Sequence, residues 1–236
     1  MKNKKLDANQ RPTKVGKELD FASREAYNLL RTNISFAFPD QKGGKVIGIT
    51  STSPQDGKSK TSINLAYSLA ESGKRVLLID GDMRRPSVCT TLELPMEPGL
   101  SEVLSGGIEE TPVHKSVLHE NMDVLLSGRI PPNPSVLIGS HGMEVLLETF
   151  KEKYDYIILD IPPVMSVSDP IVVSRFIGGM IIVVRHEKTG KRELEETIRQ
   201  LEYANVKILG FVYNRFGQRK RKKSSKNSKY NYESKK

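Results

Sequence analysis

Six short apolar runs punctuate the chain: KVIGIT (45–50), RVLLID (75–80), MDVLLS (122–127), YIILD (156–160), MIIVV (180–184) and KILGFVY (207–213). They are apolar almost throughout rather than alternating, the pattern of strands covered on both faces. Between them the period changes to three and four. Ala22, Ala26, Leu29, Leu30 and Asn33 predict a helix over 20–36. Ile63, Leu65, Ala66, Leu69 and Ala70 predict one over 59–72, stopped by Gly73. Further helices are predicted over 143–154 and over 191–204, the latter with Leu194, Ile198 and Leu201 on one face. Strands that alternate with helices in this way define an α/β protein: a doubly wound, mostly parallel sheet with helices on both faces.

The flanks differ from this body. Residues 1–19 are polar and basic and read as a flexible arm, 20–216 as the folded domain, and 217–236 as a disordered Lys/Ser/Asn-rich tail. Charge sharpens the division. The chain of 236 residues carries a net charge of +9. Residues 215–236 hold ten Lys or Arg against Glu233 alone, which accounts for the whole excess and leaves 1–214 balanced. Nucleic acid is therefore not expected as a partner of the folded part. No apolar run reaches the ~20 residues of a membrane span, and the start lacks the apolar centre of a secretory signal. The single cysteine, Cys89, fits a reducing, cytoplasmic setting and reads as structural.

The chemistry lies at the strand ends. Thr52-Ser53-Pro54-Gln55-Asp56-Gly57-Lys58-Ser59 joins a strand to a helix and matches the second half of G-x-x-x-x-G-K-[ST], with Thr52 in place of the first Gly. In that setting backbone N–H groups converge on an anion. Gly57 admits close backbone approach, Lys58 supplies charge at the β- and γ-phosphates, and the Ser59 hydroxyl is a Mg²⁺ ligand. Pro54, Gln55, Asp56, Gly57, Lys58, Ser59 and Lys60 are thus the candidate nucleotide-binding residues, with ATP and Mg²⁺ the implied cofactors. Asp80 and Asp82 end one apolar run and Asp160 another. Carboxyl ends of parallel strands share one sheet edge, so the three acids are expected beside the loop, able to hold a hard cation through oxygens and waters.

These residues resemble a family. The double acid of LLIDGDMRRP is similar to the extra acidic motif of the deviant Walker ATPases. EAYNLLRTNI (25–34), SPQDGKSKT (53–61), IDGDMRRP (79–86), SGRIPPNPSVLIGS (127–140) and LDIPP (159–163) together resemble the bacterial tyrosine kinases of capsule and exopolysaccharide synthesis. The resemblance implies an autophosphorylating protein-tyrosine kinase. Lys58, Asp80 and Asp82 would be catalytic, and Ser59, Asp82 and Asp160 would be metal ligands. Asn214 would lie near the adenine. Asp80 or Asp82 would take the proton of the incoming tyrosine.

It also implies that Tyr230 and Tyr232 are the phosphoacceptors in neighbouring subunits. Thirteen residues separate Gly217 from Tyr230, roughly 43 Å of extended chain. Glu25, Asn28 and Arg31 would form a ring-type homo-oligomer interface. A separate transmembrane activator would recruit the chain to the inner membrane face, and a tyrosine phosphatase would reverse the modification.

Three departures bear on this. Asn28 replaces the first Arg of the family's E-x-x-R-x-x-R helix, losing charge and fork geometry. Lys60 stands where a small hydroxyl residue is usual. Ser53 stands where partitioning ATPases carry their signature lysine, which favours the kinase reading over a Min/Par-like partitioning ATPase. The remaining alternative is a nucleotide-gated adaptor with decayed kinase activity.

Overall fold

All six apolar runs become strands because each is short, apolar and bounded by polar or turn-forming residues. The computed structural model describes residues 15–38 and 43–215. Its elements in chain order are α1 (Phe21–Ala37), β1 (Lys45–Ser51), α2 (Lys58–Glu71), β2 (Val76–Asp80), α3 (Val88–Leu92), α4 (Leu100–Leu104), β3 (Met122–Leu125), α5 (Pro134–Ile138), α6 (His141–Lys153), β4 (Tyr156–Asp160), α7 (Asp169–Val173), β5 (Gly179–Arg185), α8 (Lys191–Tyr203) and β6 (Ile208–Asn214). The strands form one sheet in the order β3-β2-β4-β1-β5-β6, and every neighbouring pair is parallel.

Successive residues of each strand face opposite sides, and each side has its own core. Ile47, Ile49, Val76, Leu78, Ile158 and Ile181 meet Ile63, Leu65 and Leu69 of α2 and Ile34 of α1. Val46, Leu77, Ile79, Ile157, Leu159 and Ile182 meet Leu147 and Phe150 of α6, Val173 of α7 and Leu201 of α8. Burying each such side chain contributes about 1.5–3 kcal/mol, enough to fix strand register. Because all strands run the same way, the loops after β1, β2, β4 and β5 open on one edge.

Three features differ from the sequence expectation. On α1 the apolar positions divide. Tyr27, Leu30, Ile34 and Phe38 turn to the core, whereas Leu29 and Phe36 are 63% and 77% exposed, so the Ala22–Ala26–Leu29–Asn33 side is not the buried one. The arm expected through residue 19 is shorter, since Val15 is buried in the core and the Gly16 N–H donates to Asn64 Oδ1 (3.0 Å). Four five-residue helices, α3, α4, α5 and α7, were not expected, because less than two turns leaves no readable period. The tail at 217–236, with Tyr230 and Tyr232, lies outside the described residues.

Candidate functional site

α2 starts at Lys58 and is preceded by Gly57 in a left-handed conformation (φ 103°). Nearly the whole helix is buried, so its N-terminal amides are held in place by the core. Asp80 and Asp160 end adjacent strands and are register partners. Asp82 follows two residues beyond. The same edge of the sheet therefore presents the helix start and all three acids.

Lys58 lies at their centre. Its Nζ sits 2.9 Å from Asp82 Oδ2 and 3.3 Å from Asp160 Oδ2, and it donates to Ser59 Oγ (3.2 Å). Ser62 Oγ donates to Asp160 Oδ1 (3.1 Å), and Ser87 Oγ donates to Ser59 Oγ (2.8 Å). Asp82 Oδ1 accepts from the Arg84 and Arg85 N–H groups (3.3 and 3.0 Å). Asp80 accepts from the Asp82 and Val88 N–H groups (both 3.2 Å).

Burial, and then the charge of Asp160, push the Asp80 carboxyl up to about 8. Burial likewise raises Asp160. At Lys58 burial opposes the charge, but Asp160 and Asp82 outweigh it and hold the proton above the ordinary lysine value. Asp80 thus binds its proton more tightly folded than unfolded. Its stabilising contribution is complete below the ordinary value of 3.8 and is lost as pH rises through about 8; Asp160 acts in the same direction. The melting temperature of the nucleotide-free chain is therefore expected to fall between about pH 5 and pH 8, and Asp80→Asn to flatten that fall. Equal slopes in calorimetry of parent and variant would contradict the assignment.

The loop residues divide in role. Gln55 has φ 66°. A Cβ on Gly57 would lie 2.0 Å from Asn214 Nδ2, which itself donates to the Asp56 carbonyl (2.8 Å). The Asp56 carboxylate is fully buried and accepts from the Ser53 N–H (3.1 Å), Lys188 Nζ (3.1 Å) and Thr189 Oγ1 (3.2 Å). Lys188 Nζ also donates to the Pro54 carbonyl, and Arg185 Nη1 donates to that of Gln55 (2.9 Å). Lys60 is exposed, and partial burial followed by the Arg215 charge lowers its pKa.

Sequence reading missed Arg185, Lys188 and Thr189. The available signal was a polar turn at the carboxyl end of an adjacent apolar strand. On α1, Asn28 Nδ2 donates to Glu25 Oε1 (3.0 Å) and Arg31 Nη1 to the Ser68 carbonyl near the end of α2 (2.7 Å), so Arg31 ties α1 to α2 within the chain.

The site fits a Mg-nucleotide. It has a helix N-terminus, a loop backbone too close to Asn214 for any side chain at Gly57, and Thr52 Oγ1, the one buried side-chain oxygen without a hydrogen-bond partner among the described residues. The expected gathering of acids around a cation takes a different form. Among the described residues no group of three or more His, Cys, Asp or Glu side chains is placed to hold a metal, and the acids surround an ammonium. Mg²⁺ in phosphoryl-transfer sites needs only one or two protein carboxylates beside phosphate oxygens and water, and Ser59, Asp82 and Asp160 can supply such a set.

Parallel sheet, phosphate-binding loop and acidic strand ends define a P-loop ATPase. A family profile described as an AAA domain matches residues 44–209. Tyrosine-protein kinase ptk of Acinetobacter johnsonii is 38% identical over 203 residues, covering 86% of this chain and 28% of that protein. The chain thus spans little more than a quarter of that relative's length. Tyrosine-protein kinase YwqD of Bacillus subtilis (strain 168) is 38% identical over 211 residues, covering 88% of this chain and 85% of YwqD. The kinase domain of Escherichia coli tyrosine kinase ETK superposes with a TM-score of 0.80 at 33% identity, over 96% of this chain and 89% of that one. The septum site-determining protein MinD of Pyrococcus horikoshii, at 24% identity and a TM-score of 0.63 over 75% and 72% of the two chains, shares the fold alone. The chain belongs to the bacterial tyrosine kinases.

Proposed function

We propose that the chain is an ATP-dependent protein-tyrosine kinase that phosphorylates Tyr230 and Tyr232 of neighbouring copies and so regulates capsular or exopolysaccharide synthesis and export. The observation that carries this reading is the convergence of Lys58, Asp82, Asp160 and Ser59 at the start of α2.

Phosphoryl transfer asks a protein for positioning and charge neutralisation rather than covalent chemistry. Loop and helix amides bind the phosphates, and Lys58 carries the compensating charge. Ser59, Asp82 and Asp160 would hold Mg²⁺, which supplies further neutralisation at the transferring group. A tyrosine hydroxyl has a pKa near 10 and must lose its proton to Asp80 or Asp82. A carboxyl raised to about 8, as at Asp80, is matched to taking and returning a proton near neutrality. Asn214, against the loop, is the candidate for orienting the base.

The proposal extends to assembly. The candidate subunit contact is α1 through Glu25, Asn28 and Arg31, on a helix that also leaves Leu29 and Phe36 exposed. A transmembrane activator would bring this cytoplasmic chain to the membrane face, and a tyrosine phosphatase would reset it. Among the described residues no helix is long and apolar enough to cross a membrane.

Co-expression with a membrane activator and Mg-ATP is expected to label the C-terminal tyrosines, and joint Tyr230→Phe and Tyr232→Phe substitution to remove that label. Mass spectrometry showing an unmodified tail would favour an adaptor. ATP hydrolysis stimulated by DNA or liposomes without phosphotyrosine would favour a partitioning ATPase.

A further inference from the structure

The turn that follows β5 grips the outside of the phosphate loop. Three successive loop carbonyls each receive a side-chain donor: Pro54 from Lys188 Nζ, Gln55 from Arg185 Nη1 and Asp56 from Asn214 Nδ2. A trans peptide points its C=O and the following N–H in opposite directions. Fixing those carbonyls outward therefore fixes the N–H groups of Gln55, Asp56 and Gly57 inward. None of these three N–H groups finds an acceptor among the described residues, and inward-facing amides of this kind form an anion nest.

The loop also needs restraint. Gln55 is a non-glycine residue at φ 66°, a conformation that persists only where its surroundings impose it. Those surroundings are the Asp56 carboxylate, held by Lys188 and Thr189, and the Arg185 N–H that Thr189 Oγ1 accepts (2.9 Å). The Lys188–Asp56 ion pair is sealed on the acid side and 37% exposed on the lysine side, so it is screened less than a surface pair.

We propose that Lys188, with Arg185 and Thr189, is a positioning residue for nucleotide binding: it holds the phosphate loop with its amides facing the phosphates while touching no phosphate itself. This rests on the nucleotide-binding reading above.

The test uses the full chain with Mg²⁺ and a fluorescent N-methylanthraniloyl ATP. Binding by the parent comes first; its failure would sink the nucleotide reading itself. Given parent binding, Lys188→Met is expected to weaken affinity about tenfold, equivalent to about 1.4 kcal/mol, and Lys188→Arg to restore it to within about threefold by keeping the charge. Asp56→Asn combined with Lys188→Met should weaken binding by less than the sum of the two single effects, since the Lys188–Asp56 contact is lost in both. Lys188→Met within twofold of the parent would overturn the proposal, even if its melting temperature drops, because the turn would then serve the fold alone. Should Lys188→Met fail to fold by circular dichroism, Thr189→Val reads the same clamp from its uncharged side: about fivefold weaker binding supports the proposal, and affinity within twofold of the parent overturns it.

Discussion

Lys58→Met is expected to abolish tail phosphorylation and to destabilise the nucleotide-free fold by about 3–5 kcal/mol, the usual cost of stranding a buried charge. Among the described residues the ammonium is the one cation in direct contact with both Asp82 and Asp160, and Asp80 lies in the same buried group. Removing it leaves the acids in a low-dielectric edge without its compensating charge, and they must protonate or draw in water. Adding Asp160→Asn to Lys58→Met should recover much of the lost stability by removing one stranded charge, yet recover no phosphotyrosine, because the phosphate counter-charge is still missing. Urea denaturation reads the first outcome and a phosphotyrosine blot the second. A Lys58→Met chain as stable as the parent would mean that the ammonium does not compensate the acids.

Gly57→Ala is the second large effect. The position carries φ 103°, and an added Cβ would lie 2.0 Å from Asn214 Nδ2. Backbone strain of this kind costs of order 1–3 kcal/mol, and relieving the clash means displacing the side chain that holds the Asp56 carbonyl. Nucleotide affinity is expected to fall by at least about tenfold, a change of about 1.4 kcal/mol, together with a lower melting temperature. Isothermal titration of a folded Gly57→Ala chain with parent-like affinity would show that the close approach is dispensable.

Strands and phosphate loop were legible because both signals are local. Continuous apolar runs mark strands covered on two faces, and a Gly-Lys-Ser between strand and helix marks an anion site. The acids were legible as a set because parallel strands must end together. The buried face of α1 was not, since that helix carries two apolar stripes and a single chain does not say which one meets the sheet. Asp56 lies inside the motif, which speaks only for its backbone. Its carboxylate turns to Lys188 and Thr189, more than 130 residues later, a pairing no local pattern encodes. The central position of Lys58 was equally hidden, because the motif assigns the lysine to phosphates and says nothing of the acids it faces across the sheet edge.

Asn214 ends β6, the outermost strand on its side of the sheet, and its amide fastens the loop that precedes α2. A truncation that cuts ahead of residue 214 thus removes a strut of the loop before α2 together with the tail. Any shortened version made to separate catalysis from substrate has to keep Asn214, or its inactivity will say nothing about the missing tyrosines.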